Sequence, residues 1–501
     1  MAEEVQKTDQ KSSYRGIMKA TSLFGGVQVY QILIEIIKSK FIAVLLGPAG
    51  VGIQGLYTSG TQMIQQLSSL GLSQSATRNI AEAYGSGDQT KISKTVTALR
   101  KLVWLTGVFG MLVVICASPL LSQSSFGDYT HIWGFVAISV ILFFNQINAG
   151  QRVLLQGMRK YKYLAKCTAY GVTIGLFVSV PLYYIWGINA IVPNIIISSI
   201  TSLLLSWYFS RKISVGVVKQ SWSEVFGIGK SMIMMGIAMS LTHFLSLVSS
   251  YVLRSSIRMW GNVDEVGLYT AGFLLMTQYT GMVFQAMSTD FYPRLAAVNK
   301  DNARCAEIMN QQGEVGLLLL GPLMTLCVVF IPVVIKILYS DAFLSVNDYV
   351  IWSAVGVIFQ MAAWCVSYIL IAKAESKLYT INEIVVSLYG LGLNLFAYYM
   401  GGLTGLGISF VVKYFLYLLQ VYLIAHVRYS FRFTPSFLRI FAQQLVLVLS
   451  GVLVVLFVFS WWRYVYGSVI CLITIILALH ELNKRMDIMS IVYRKLYKNG
   501  K

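Results

Sequence analysis

The sequence predicts an all-α polytopic membrane protein of about fourteen transmembrane helices, and three observations lead there. Only 12% of its residues are charged and 56% are hydrophobic; soluble domains carry roughly 25% charged residues, so this chain lacks the polar surface to coat a water-soluble globule. Apolar stretches close to the ~20 residues that a bilayer crossing requires recur from end to end. The connections between those stretches alternate between basic and nearly uncharged.

The opening residues 1–16, MAEEVQKTDQKSSYRG, are hydrophilic and mixed in charge. No small-residue cleavage site closes the apolar run that follows, so that run is expected to stay as a helix and the tail to lie in the cytoplasm. The spans then run 17–46, 53–78, 101–122, 131–153, 165–186 and 188–210, a first lobe of six helices. A cytoplasmic linker at 211–225 leads to the second lobe, 226–253, 267–292, 313–338, 348–372, 381–400 and 403–425. Two added helices, 437–460 and 464–480, precede a basic tail at 481–501.

Charge sets the expected orientation. The even-numbered connections hold Lys91, Lys94, Arg100 and Lys101, then Arg159, Lys160, Lys162 and Lys166, then Arg211, Lys212 and Lys219, and the later ones continue the pattern with Arg304, Lys373, Lys377, Arg428 and Arg432. The opposite connections are short and almost uncharged, with Arg254, Arg258, Lys336 and Arg463 as the exceptions. The positive-inside rule therefore predicts both termini in the cytoplasm. The formal net charge of +19 has the same topological origin and does not call for nucleic acid. In the tail, apolar Ile488, Ile491 and Leu496 alternate with basic residues, a pattern suited to lying on the inner leaflet.

An internal repeat at an offset of about 215 residues aligns several features. Tyr183-Tyr184 with Gly187 matches Tyr398-Tyr399 with Gly402, Val51-Gly52 matches Val266-Gly267, and Arg78 at the end of the second span matches Arg294. The offset covers an even number of crossings, so the lobes point the same way and are related by a pseudo-two-fold along the membrane normal.

An ionisable side chain at bilayer depth costs roughly 2.5–3.5 kcal/mol on insertion scales. Lys38 and Lys40 in the first span, Arg254 and Arg258 at the outer end of the seventh and Lys413 in the twelfth are the candidates for a cationic cavity between the lobes, with Arg78 and Arg294 near the inner ends. Snorkelling to headgroups is the competing explanation for Lys38, Lys40, Arg254 and Arg258, and interface anchoring for Arg78 and Arg294. Fixed positive charge in a low-dielectric wall attracts phosphate. Glu35, three residues from Lys38, and Asp290 are candidates for coupling to a proton or sodium gradient, although Glu35 is equally read as the partner of Lys38. No Walker A sequence is present, the four histidines stand apart from one another and from cysteines, and the six cysteines form no CxxC pair. ATP hydrolysis, a metal centre and disulfides are therefore not expected. No long outward connection offers paired carboxylates for glycosyl transfer, which leaves a transporter rather than a membrane-bound polymerase or ligase.

The stretch LFGGVQVYQILIEIIKSKFIAVLLGPAGVGIQGLY and the segment SLGLSQSATRNIAEAYGSGD resemble the polysaccharide-transport branch, with its O-antigen translocases, of the multidrug/oligosaccharidyl-lipid/polysaccharide exporter superfamily. The likeness extends over essentially the whole chain. It implies flipping of undecaprenyl-diphosphate-linked repeat units from the inner to the outer leaflet of a bacterial cytoplasmic membrane by alternating access. The implied partners are that lipid-linked oligosaccharide, the surrounding membrane lipids and a polysaccharide polymerase complex. Two alternatives share the architecture: a flippase for the peptidoglycan precursor, and a cation-coupled multidrug exporter. A scaffold role in an export complex is the reading from a different class.

Overall fold

The structure, a computed structural model, describes residues 2–216, 218–458 and 461–486. Among them the regular elements are helices, with no strand. Residues 487–501, most of the expected basic tail and with it Ile488, Ile491 and Leu496, lie outside the described residues. The chain divides into two compact units, Met1–Gly267 and Leu268–Lys501.

The first unit contains α1 (Ala2–Ser68), α2 (Leu72–Gly85), α3 (Gln89–Phe126), α4 (Ile132–Gly157), α5 (Tyr161–Trp186), α6 (Ile191–Ser210) and α7 (Trp222–Trp260). α1 bends at Gly47, whose backbone sits at φ 64°, ψ −172° immediately before Pro48. Glycine tolerates the positive φ, and the following proline disfavours a helical ψ at that position. Gly47, in the LGPAGVG stretch, therefore divides this element into two helical arms. Within the unit α1 packs against α3, α5 and α7, and α4 against α3 and α6. Leu72, Ile80, Leu99, Leu102, Val153 and Met232 are buried in a shared apolar core.

α8 (Val263–Ala297) starts at the end of the first unit and continues into the second, which holds α9 (Asn302–Leu338), α10 (Asn347–Ala372), α11 (Ser376–Tyr429), α12 (Pro435–Phe457) and α13 (Trp462–Met486). α11 is a bent pair of arms joined at Gly401 and Gly402, the latter at φ 56°, ψ −139°. α10 packs against α9 and α11, and both α12 and α13 lie on α9. Phe291, Val366, Leu370, Val421 and Phe431 are among the buried residues of this unit's core.

Dividing α1 and α11 at their kinks, and setting aside the short α2, gives fourteen helical arms among the described residues, consistent with the number expected. Eight continuous stretches are long and apolar enough to cross a membrane, two of them, Tyr161–Ser210 and Ser376–Tyr429, holding two arms each. The second expected span differs in detail. It was expected to run unbroken to Arg78, but the helix stops at Ser68 and restarts at Leu72, which leaves Arg78 in the middle of α2. Leu70 (φ 50°) and Gly71 (φ 64°) make the break. A Cβ on Gly71 would fall 2.1 Å from the carbonyl oxygen of Gly236 in α7, so the break lets two backbones touch.

Candidate functional site

Four of the predicted cations lie in the first unit, Lys38 and Lys40 on the arm of α1 before the Gly47 kink and Arg254 and Arg258 on α7, whose Tyr251 meets Gly60 in the other arm. Lys38 is half-buried, with its ammonium reaching toward Gly175 of α5; a Cβ there would lie 4.0 Å from Nζ. Lys40 is half-buried on the same helix. Glu35 accepts a hydrogen bond from Gln31 Nε2 at 2.7 Å.

Arg254 is only 8% exposed. Its Nη1 donates to Ser250 Oγ and, at 3.3 Å, to the Ser250 carbonyl one turn back in the same helix. A guanidinium buried in this way retains its charge and must be solvated by local dipoles. Arg258, one turn further on, lies over Gly127 at the C-terminus of α3; a Cβ at Gly127 would come within 2.1 Å of Nη1. Tyr251 Oη bridges Ser124 and Ser125 Oγ at 2.6 and 3.1 Å. α7 is thus fastened to the α3–α4 turn by residues that flank both arginines. In that turn Asp128 Oδ1 accepts from Thr130 N, Thr130 Oγ1 and His131 Nδ1, and the His131 ring stacks on Phe126 with centroids 3.8 Å apart.

Each remaining predicted residue has its own surroundings. Arg78 is exposed on α2. Arg294 and Asp290 pair with each other at 3.0 Å across one turn of α8, and the Asp290 side chain is 71% exposed. That is a solvent-facing i,i+4 ion pair. Lys413 belongs to the second unit: its half-buried side chain passes over Gly390 in the other arm of α11, and Nζ stands 5.3 Å from the Tyr414 ring centroid. Of the basic residues that break the topological pattern, Lys336 pairs with Asp341 at 2.9 Å, and Arg463 lies on the Tyr464 ring.

Two clusters were not foreseen from the sequence. Glu383 on the first arm of α11 is a half-buried carboxylate. It accepts from Tyr417 Oη at 2.9 Å and Asn382 Nδ2 at 3.3 Å, and its negative charge attracts Lys413. Gln420 Nε2 donates to Asn382 Oδ1 at 2.7 Å, and Gln360 Nε2 to Tyr414 Oη at 3.1 Å. A lone acid in INEIVVS, inside an otherwise apolar run, is the same kind of signal that singled out Lys413. The second cluster ties the added helices to α9. Arg485 Nε donates to Glu314 at 2.9 Å, Nη1 to Glu481 at 2.5 Å and Nη2 to Ser436 Oγ at 3.0 Å.

Residues 41–348, more than half of the chain, match the family described as polysaccharide biosynthesis protein. The chain belongs to that family. Among characterised proteins this family member is 22% identical to the lipid III flippase of Escherichia coli (strain K12) over 394 residues, 75% of this chain and 90% of the relative. Its fold resembles that of the inward-facing conformation of a multidrug resistance MATE family transporter of the MOP superfamily, with TM-score 0.69, 15% identity, and coverage of 80% of this chain and 94% of the other. The lipid II flippase MurJ in an inward closed conformation matches with TM-score 0.65 and 14% identity over 96% of this chain and all of the other. The polysaccharide biosynthesis protein described here therefore has the fold of the multidrug/oligosaccharidyl-lipid/polysaccharide exporter superfamily, and these relatives are named for transport or flipping and not for catalysis.

Proposed function

We propose that this chain is a flippase for a lipid-linked oligosaccharide, an undecaprenyl-diphosphate-linked repeat unit of O-antigen or capsule type, carried from the inner to the outer leaflet of a bacterial cytoplasmic membrane. One observation carries the reading. Arg254 is buried on α7 one turn before Arg258, and Lys38 and Lys40 are half-buried on the first arm of α1. A diphosphate is the part of such a substrate that needs fixed positive charge in a low-dielectric setting, and arginine binds it through paired donors. Kinship with a lipid III flippase supports the lipid-linked class. Both termini lie in the cytoplasm on this reading, as the basic connections require. The flipped unit then passes to a polymerase on the far side.

Coupling to a proton or sodium gradient falls on Glu35 in the first unit and Glu383 in the second, each a half-buried carboxylate held by amide or phenol donors. Asp290, exposed and paired with Arg294, contributes least to it.

The deciding experiment is Lys40→Gln with Arg254→Gln in the producing strain. Surface polysaccharide is lost while protein abundance in the membrane stays at the wild-type level. Wild-type polysaccharide in the double variant would assign these cations to headgroup anchoring. Rescue of a strain depleted of its peptidoglycan-precursor flippase would move the substrate to lipid II.

A further inference from the structure

We propose that the first unit carries a binding site for an anionic glycerophospholipid in the groove between α3 and the start of α7. The groove encloses about 420 Å³ and is lined by Arg100, Lys101, Trp104, Leu105, Val108 and Trp222. It is separate from the cations assigned to the transported substrate, and the inference stands whether or not that assignment holds.

The basic end of the groove is built. Lys101 Nζ donates to the Gln220 carbonyl at 2.7 Å and stands 5.2 Å from the Trp222 ring centroid, which fixes one wall. Trp222 is the first residue of α7, and a capping box between Ser221 and Glu224 holds that helix start. Arg100, the neighbour of Lys101 on α3, is exposed and lines the same groove. Two adjacent like charges at one end of an apolar groove are relieved by an anion, and a phosphodiester carries the right charge to lie against them.

The apolar end matches what hangs from such a headgroup. Below the cations, α3 presents exposed Trp104, Leu105, Val108, Phe109, Leu112 and Ile115. Their spacing places them along one stripe, and at 1.5 Å per residue the stripe descends about 16 Å. One leaflet supplies roughly half of a ~30 Å hydrocarbon core, so the stripe has the depth of one leaflet. Cations at the rim with a leaflet-deep apolar track beneath them have the shape and charge of a membrane lipid standing upright. Basic pockets between membrane helices hold anionic headgroups on this principle.

The test is native mass spectrometry of the full-length protein released from micelles containing equal amounts of phosphatidylglycerol and phosphatidylcholine. Phosphatidylglycerol is expected to be retained in preference. Arg100→Gln, which leaves the Lys101 hydrogen bond in place, should lower that retention about fivefold, the effect of one cation near an anionic lipid. Adding Trp222→Ala should lower it further. Lys160→Gln with Lys162→Gln removes two exposed charges from another connection and should leave retention unchanged. Equal retention of the two lipids, equal losses in the control variant, or full displacement of the lipid by inorganic phosphate would each overturn the proposal. The last result would leave only an anion site.

Discussion

Gly187 and Gly402 hold the same backbone conformation, φ 52°, ψ −132° and φ 56°, ψ −139°. Each follows a tyrosine pair with the same burial pattern: Tyr183 and Tyr398 are 1% and 4% exposed, and Tyr184 and Tyr399 are 79% and 70% exposed. The repeat visible in the sequence therefore recurs as local structure, with one tyrosine buried, the next turned outward and a glycine bending the chain.

Replacing either glycine by alanine tests that equivalence. No atom lies within 4 Å of a Cβ built at either position, so packing contributes nothing. The backbone region alone should cost about 1–3 kcal/mol, because residues with a side chain avoid it. Gly187→Ala and Gly402→Ala should therefore lower the unfolding temperature in detergent by similar amounts, and unequal shifts would break the equivalence.

Asp128 offers a pH test outside the membrane segments. The hydrogen bond from His131, with further ones from Thr130, holds its carboxyl below the ordinary carboxylate value of 3.8. A depressed folded value stabilises the fold above the unfolded pKa, and that contribution disappears as pH falls through the folded one. Asp128→Asn should therefore lower the melting temperature by a constant amount near neutral pH. The gap should close only below about pH 4, where aspartate protonates in the unfolded chain. A gap that stays the same well below pH 4 would show that the lost hydrogen bonds, and not the carboxylate charge, carry the effect.

Much of this architecture was legible because hydropathy is additive along a chain. Spans 165–186 and 348–372 sit almost where α5 and α10 do. What local pattern could not reveal is tertiary. The break at Leu70–Gly71 exists because Gly236, far away in sequence, approaches that backbone. Among the site residues, each charge was visible as a charge, but its partner was not. Arg258 over Gly127 and Arg485 on Glu314 join residues more than a hundred positions apart. Glu383 falls two residues into the expected span 381–400, whereas α11 begins at Ser376, seven residues before it, and carries it two turns inward.

Glu383 should matter for transport more than for folding. Glu383→Gln preserves an acceptor for Tyr417 and removes the charge that faces Lys413. Membrane abundance should hold while transport falls, in keeping with the functional role that intramembrane ionisable groups carry by default. Restoring export by the further change Lys413→Met would reassign Glu383 to neutralising the lysine.

Arg485 gives the sharpest stability test. Its guanidinium is 23% exposed and lies between Glu314 and Glu481, whose side chains are 11% and 12% exposed. Removing the shared cation leaves two carboxylates facing each other in a confined site, with Arg439 at 3.5 Å and Lys484 at 3.5 Å as weaker, solvent-exposed compensation for Glu481 alone. Breaking such a pair from one side costs about 3–5 kcal/mol, whereas replacing every member with uncharged groups of similar volume is often neutral. Arg485→Met should therefore release α12 and α13 from α9, seen as protease cleavage in the 430–434 connection beside Ser436 at concentrations that leave the wild type intact. The triple change Glu314→Gln, Glu481→Gln and Arg485→Met should restore resistance. If the triple variant is cleaved as fast as the single one, the hydrogen bond from Arg485 to Ser436, and not the charge balance, is what holds the added helices in place.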